Sequence, residues 1–299
     1  MELRFVFDQP SAFVRVDSAQ DEQRLTLGLP NALLAGTGVE SWPLAGPGEV
    51  DRLEEMIIWR GINSLIGIAA VEVNDNNLEA ATARLYAAIL DLTDGYVLHR
   101  FWNFVPQINA AVGEVDRYMC FCVGRATAFG EHARPFQGGD LPPASAVGTT
   151  GNHLCIAFLS GRDALVPVEN PLQVPAYQYP KRYGPRPPSF ARAGVIDAVG
   201  EMFISGTASI RASESLHEGD FTCQAQTALE NLAAVSEAAG HPHWLDSAQP
   251  YRRTVRVYVK RAELWQQHGD VLQKNLLDGA QHFNVIEADI CRPELLVEI

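Results

Sequence analysis

Hydrophobic and polar positions change rhythm several times along this chain. In the first 50 residues, LRFVF, AFVRV and RLTLGL are short apolar runs broken by Gly, Pro and Asp. Such runs predict short strands joined by turns. EMIIWRGINSLIGIAAVEV follows and predicts one or two buried strands. In NDNNLEAATARLYAAILDLTDG, Leu78, Leu85, Ile89 and Leu92 recur at helical spacing. Asn and Asp precede that run and Gly95 follows it, which are helix start and stop signals. YVLHRFWNFVP is aromatic and β-branched and predicts a strand. GEVDRYMCFCVGRATAFGEH predicts a helix despite Gly124, and GNHLCIAFLSGR another strand.

The last hundred residues have a clearer pattern. EMFISGTASI predicts a strand entering a turn. GDFTCQAQTALENLAAVSEAAG places Phe221, Ala225, Ala228, Leu229 and Leu232 on one helical face. RRTVRVYVK alternates as a strand does, RAELWQQHGDVLQKNLLD predicts a second helix, and NVIEADI and LLVEI predict closing strands. The order β-α-β-α-β-β predicts an α/β fold, with helices packed on one face of a mixed sheet. The N-terminal half has similar ingredients in looser form. Between the halves, VENPLQVPAYQYPKRYGPRPPSFARA carries too many prolines for a regular helix. Composition alone allows an interdomain linker, but its tyrosines, phenylalanine and basic residues predict an ordered loop packed on something.

Composition narrows the function classes. With 47% hydrophobic residues the 299-residue chain can bury a sizeable core. No window of about 18 apolar residues is present, so no transmembrane helix and no membrane partner are expected. The start, MELRFVFDQPSAFVRVD, lacks a basic segment followed by an apolar one and does not read as a signal peptide. Five cysteines without regular spacing fit a reducing compartment, so a cytoplasmic location is expected. The formal net charge of -13 argues against nucleic acid as a partner. A small anion needs only a local cluster of arginines and stays compatible. Cys120 and Cys122 have the wrong spacing for the usual zinc pair. HPHW, from His241 to Trp244, reads as a loop, and GTTGN lacks the Lys-Ser/Thr of a phosphate loop. No metal and no organic cofactor are expected.

Two resemblances sharpen this reading. FISGTASI, QTALENLAAVSEAAG, VRVYVK and LLVEI, over about residues 193–299, resemble the RidA/YjgF family. More specifically, RFWNFVPQIN, FCVGRATAF, VENPLQVPAYQYPKRYGPRPPSFARA, ISGTASI and ADICRPELLVEI, in that order, look like the chorismatase family from about residue 57 onward. That resemblance implies two RidA/YjgF-like halves, a degenerate one over residues 1–180 and a second over 181–299. It implies an enzyme that takes the small molecule chorismate and releases pyruvate from its enolpyruvyl ether. Two halves could stand in for part of a trimer, so a monomer is expected. RidA-like strands usually run a few residues beyond the point where this chain stops at Ile299, so a short further tail is expected.

Chorismate carries two carboxylates, and arginine is the best fork for each. Arg125 in CVGR and Arg192 in SFARA lie in the matching motifs. Tyr118 and Arg125 are seven apart and share a helical face, so a phenol and a guanidinium could hold one carboxylate together. Tyr179 and Tyr183 lie in the Pro-rich loop with Arg192; one of them, Tyr179 slightly preferred, is expected to help grip the other carboxylate. Cleaving an enol ether begins with protonation of its methylene carbon, which needs a positioned acid still protonated near neutral pH. Strand alternation sets Glu298 on the face of Leu296, opposite Val297, where apolar surroundings would raise its pKa. From the residues alone it could equally be a solvated edge glutamate. The family's acid falls on it, so Glu298 is expected to be buried near Arg125 and Arg192. Gly206 and Cys291 resemble the hydroxybenzoate-forming groups: glycine would give ring space, and the thiol could contact the ring. The resemblance thus implies 3-hydroxybenzoate, with 4-hydroxybenzoate also open. The alternatives are a hydrolase forming a cyclohexadiene diol, and a RidA-like imine deaminase or metabolite-binding module. The deaminases' arginine is absent from HFNVIEADI.

Overall fold

The computed structural model describes residues 1–19, 22–44, 46–132, 138–242 and 251–299. His243 and Trp244 of the HPHW stretch lie outside the described residues.

The N-terminal residues form a sheet of their own. β1 (Glu2–Val6), β2 (Phe13–Ala19), β3 (Glu22–Gly28) and β5 (Val39–Pro43) pair in the order β2-β3-β1-β5, while β4 (Leu33–Gly36) leaves this sheet for another.

The next unit is a six-stranded sheet with two helices. Its strands are β6 (Gly48–Leu53), β7 (Met56–Gly61), β8 (Ser64–Glu72), β9 (Val97–Pro106), β12 (Ala144–Thr149) and β13 (His153–Gly161). Helix α1 (Leu78–Leu92) connects β8 to β9. A short hairpin, β10 and β11 (Ala111–Val112 and Val115–Asp116), leads into α2 (Arg117–Glu131). β9 lies parallel to β12 on one side and antiparallel to β13 on the other. Alternation along the strands sorts the side chains. Met56, Ile58, Phe101, Val105, Ile156 and Phe158 pack under α1 and α2. Ile57, Trp59, Trp102, Phe104, Cys155 and Ala157 face the other way, onto Leu3, Phe5, Leu25 and Leu27 of the N-terminal sheet. Gly124, the residue that argued against a helix, permits the close α1–α2 contact. A Cβ there would lie 2.3 Å from the Glu79 carbonyl oxygen.

The C-terminal half repeats this order. β14 (Val166–Val168), β15 (Ala193–Ile196) and β16 (Glu201–Ile204) form an antiparallel meander. A two-residue hairpin, β17 and β18 (Ile210–Arg211 and Glu214–Ser215), precedes α3 (Phe221–Ala238). β19 (Thr254–Val259) is central, parallel to β20 (His282–Glu287) and antiparallel to β21 (Val297–Glu298). Thr207 and Ile299 exchange backbone hydrogen bonds of 2.8 and 3.0 Å, which continues the β16 chain alongside β21. Both halves therefore have a central strand flanked by one parallel and one antiparallel neighbour, as the α/β reading requires. β4 completes the outer edge by pairing with β20.

Two local expectations are corrected, and one strand was not expected. The second C-terminal helix is interrupted: α4 (Ala262–His268) stops at Gly269, a single turn α5 (Asp270–Leu272) follows, and residues 273–277 form a π-helical turn. A Cβ on Gly269 would sit 2.6 Å from the Trp265 carbonyl oxygen and ring. β12 had no signal in its sequence, ASAVGT, because small residues carry neither strand propensity nor a period. Leu296 does not share the face of Glu298. It packs with Val297 in the helix-side core, because the regular strand is only two residues long. Among the described residues no helix is long and apolar enough to cross a membrane.

Candidate active site

A cavity of about 310 Å³ opens where the β12 edge of the first half meets the β16–β21 edge of the second. Two hydrogen bonds stitch that seam. The Gly206 amide donates to the Ala144 carbonyl at 3.2 Å, and the Ala144 amide donates to Ser205 Oγ at 2.8 Å. All eight residues singled out from the sequence line this cavity: Tyr118 and Arg125 from α2, Tyr179, Tyr183 and Arg192 from the Pro-rich loop, and Gly206, Cys291 and Glu298.

Helix α2 supplies the first wall. Asp116 caps it, accepting a 2.7 Å hydrogen bond from the Met119 amide, which satisfies one of the free donors at a helix start. Two turns separate Tyr118 from Arg125, and both side chains reach the cavity. Arg125 is 3% exposed. Its guanidinium lies 5.0–5.4 Å from the ring centroids of Tyr86, Phe101 and Phe129. Its Nε and Nη2 are buried without a hydrogen-bond partner. A guanidinium held by ring faces alone keeps its donor fork free for an anion. Burial, and then the neighbouring Cys122 thiol, pushes the Tyr118 phenol well above its ordinary value. Cys122 is itself raised to about 12 by burial. Both groups stay neutral.

The Pro-rich stretch is an ordered loop with single helical turns at Ala176–Gln178 and Lys181–Tyr183. Arg192 Nη2 donates to the Val174 carbonyl at 3.0 Å and to Tyr179 Oη at 2.7 Å, while its Nε is buried and unpaired. Tyr183 is used differently. Its hydroxyl donates to Glu214 at 3.2 Å, and its ring lies 3.7 Å from the Arg292 guanidinium.

Glu298 stands at the seam. It is 4% exposed, and its Oε1 is buried without a hydrogen-bond partner. Val297 turns into the helix-side core, so Glu298 faces the other half, opposite Tyr258 on β19. Burial pushes its carboxyl up to about 8, against the pull of Arg100 and then Arg192. The expectation set Glu298 beside Arg125 and Arg192. The cations that act on it are instead Arg100 and Arg192. Gly206 also has a different use from the one expected. A Cβ there would lie 2.1 Å from Glu298 Oε1, so the room the glycine leaves is taken up by the carboxyl itself. Cys291 is half-buried. Burial, and then the charge of Glu298, raises its thiol far above the ordinary value, so it stays protonated.

Two arginines were missed. Arg292 lines the cavity with a buried, unpaired Nη2, its Nη1 donating to the Ser213 carbonyl at 2.9 Å. It directly follows Cys291, and its place within ADICRPELLVEI was the available signal. Arg100 is 6% exposed on β9. Its strand is buried at nearly every position, and a charged residue in an aromatic run offered no partner by which to read it. Cys120 and Cys122 are free, buried thiols of α2. Among the described residues no three His, Cys, Asp or Glu side chains converge as a metal set.

Comparison with known proteins adds to this geometry. Residues 40–160 match the family described as chorismatase FkbO/Hyg5-like, N-terminal. A 3-hydroxybenzoate synthase of Streptomyces hygroscopicus is 37% identical over 233 residues, 73% of this chain and 68% of its own. A chorismatase of Streptomyces rapamycinicus is 35% identical over 273 residues, 87% of this chain and 80% of its own. The crystal structure of a chorismatase superposes with a TM-score of 0.83 at 30% identity, over 99% of this chain and 90% of that one.

Proposed function

The chain belongs to the chorismatase family, and on that premise we propose that it cleaves chorismate to pyruvate and 3-hydroxybenzoate. The observation that carries this reading is Glu298. It is a buried carboxyl held protonated at neutral pH, at the edge of a cavity whose arginines present unpaired donors. The relative named 3-hydroxybenzoate synthase supports the product.

The chemistry assigns a task to each side chain. Arg125, with the Tyr118 phenol, takes one substrate carboxylate. Arg192, oriented by Tyr179, takes the other, and Tyr183 backs the same wall through its stack on Arg292. Each guanidinium exchanges an empty donor site for a charge-assisted hydrogen bond. Glu298 gives its proton to the terminal methylene carbon of the enolpyruvyl arm. The π pair forms the new C–H bond, and positive charge develops at the ether carbon. The C–O bond to the ring then breaks and pyruvate leaves. The neighbouring ring hydroxyl closes onto the carbon pyruvate has left, forming an epoxide, and its proton returns to Glu298. The epoxide then reopens by breaking the oxygen's original C–O bond, the hydrogen on the newly oxygenated carbon shifts to the carbon just vacated, and tautomerisation leaves the aromatic 3-hydroxybenzoate. The two products together contain every atom of chorismate, so no water is consumed. Largely apolar cavity walls suit that outcome, because a trapped water would lead to a diol. The neutral thiol of Cys291 stands beside the reacting ring. We divide the chain within the Pro-rich loop, into 1–180 and 181–299, with β14 crossing that boundary to pair with β15 of the second half.

Incubating the purified protein with chorismate and resolving the products by chromatography tests this. Pyruvate and 3-hydroxybenzoate in equal amounts are expected. A diol as the ring product would reassign the subclass. Binding of chorismate without turnover would leave a binding module instead.

A further inference from the structure

Arg100 sits on the face of β9 that looks toward the C-terminal half. Its Nη2 donates to Ser145 Oγ at 3.2 Å, and its guanidinium lies 5.3 Å from the Trp102 ring. Nη1 is buried with no hydrogen-bond partner. A buried cation normally has an anion beside it, and the obvious candidate is already taken. Glu40, 4% exposed, accepts 3.0 and 2.7 Å hydrogen bonds from Arg256 Nε and Nη2 and a third from Trp42 Nε1 at 2.7 Å. Arg256 is thereby neutralised, and its Nη1 donates to Tyr258 Oη at 3.0 Å. Arg100 remains with an unpaired donor, and Glu298 with an unpaired acceptor. A short path joins them: Arg100 holds Ser145, the adjacent Ala144 carbonyl accepts from the Gly206 amide, and Gly206 lies directly against Glu298 Oε1, so each stands in the other's field. The other groups that act on Glu298 or feel its charge are Arg192 from the loop, Tyr118 from α2, Tyr258 from β19 and Cys291.

Charge counting then singles out Arg100. Chorismate brings two carboxylates, which engage Arg125 and Arg192. Proton transfer to carbon creates a third negative charge, on Glu298. We propose that Arg100 is a positioning residue for this step: its uncommitted guanidinium is held ready to stabilise the Glu298 carboxylate that forms as the proton leaves. A preorganised charge aimed at where charge develops lowers a barrier without reorganisation. The assignment rests on Glu298 being the proton donor. It is distinct from substrate binding, because Arg100 does not line the cavity.

The test compares Arg100→Gln and Arg100→Lys with the unmodified protein, following kcat, KM and the pH dependence of kcat with chorismate. A nearby cation favours the charged form of a carboxyl. Removing it should move the alkaline fall of kcat up by about one pH unit and lower kcat by about 100-fold, with KM within about threefold. Burial lowers the Arg100 guanidinium to about 9, and a lysine in the same place falls further, so Arg100→Lys carries its charge only on the acid side; at pH 6 it should recover at least a tenth of kcat. An unmoved alkaline fall in Arg100→Gln overturns the proposal. So does a raised KM with kcat intact, which would make Arg100 a substrate ligand. If Arg100→Gln does not fold, Arg100→Lys still decides at pH 6: kcat lowered there by 100-fold or more with KM unchanged, despite the charge, refutes it. Glu298→Gln run in parallel separates the two ideas, since full turnover in that variant removes the acid itself.

Discussion

Burial keeps the Glu298 carboxyl protonated up to about pH 8, where an exposed glutamate would have lost its proton near 4.5. Turnover should therefore hold through neutrality and fall as pH rises through about 8, which a kcat–pH profile measures. Glu298→Gln keeps the shape but has no proton to give. It should retain chorismate binding, read by calorimetry, and lose about 1,000-fold in kcat. The same burial costs stability, with a defined sign. Between about 4.5 and 8 the folded chain holds a proton that the unfolded chain releases, so this group's contribution declines as pH rises through that window. A neutral glutamine escapes the decline. Glu298→Gln should melt above the unmodified protein at pH 8, with the difference closing toward pH 5. Gly206 belongs to the same pair. Gly206→Ala pushes a methyl into the carboxyl's place. It should cut kcat at least tenfold while changing KM less, because the acid moves and the carboxylate clamps do not.

Helix α2 sets the substrate clamp, and its position depends on few contacts. The Asp116 cap fixes the turn that carries Tyr118, and the absent Cβ at Gly124 fixes the distance to α1. Asp116→Ala should cost about 1 kcal/mol in a denaturant melt. Within α2, Arg125→Lys replaces a planar fork by a point charge and should raise KM about tenfold with a smaller effect on kcat. The strand pattern predicted β9, β13 and β19 because burial on both faces or strict alternation marked them. It missed β12, whose small residues let the Pro-rich loop and Gly206 approach. Small residues at a seam are chosen for clearance, which leaves no periodic trace. The C-terminal helix broke at Gly269 because the close approach of Trp265 overrides helical periodicity.

At the scale of the whole molecule, two sheets of matching connectivity pack their helices on one face and meet along the β12 edge of the first and the β16–β21 edge of the second. The N-terminal sheet closes the back. One buried ion pair, Glu40 with Arg256, ties it to the C-terminal half. Removing one partner strands the other charge away from water. Glu40→Ala should therefore destabilise the fold by about 3–5 kcal/mol, read as a lowered Tm.

From the sequence alone came the α/β class, most of the elements and, through ordered motifs, the family and the eight residues that converge on one cavity. Those follow from local periodicity and residue chemistry, which a linear chain displays. Only the tertiary structure decided that Glu298 is dry, that Gly206 makes room for it, and that Arg100 rather than Arg125 shares its field. Burial, clearance and charge pairing arise between β9, β12 and β21, segments up to two hundred residues apart. Their distances are determined when the two halves close on each other.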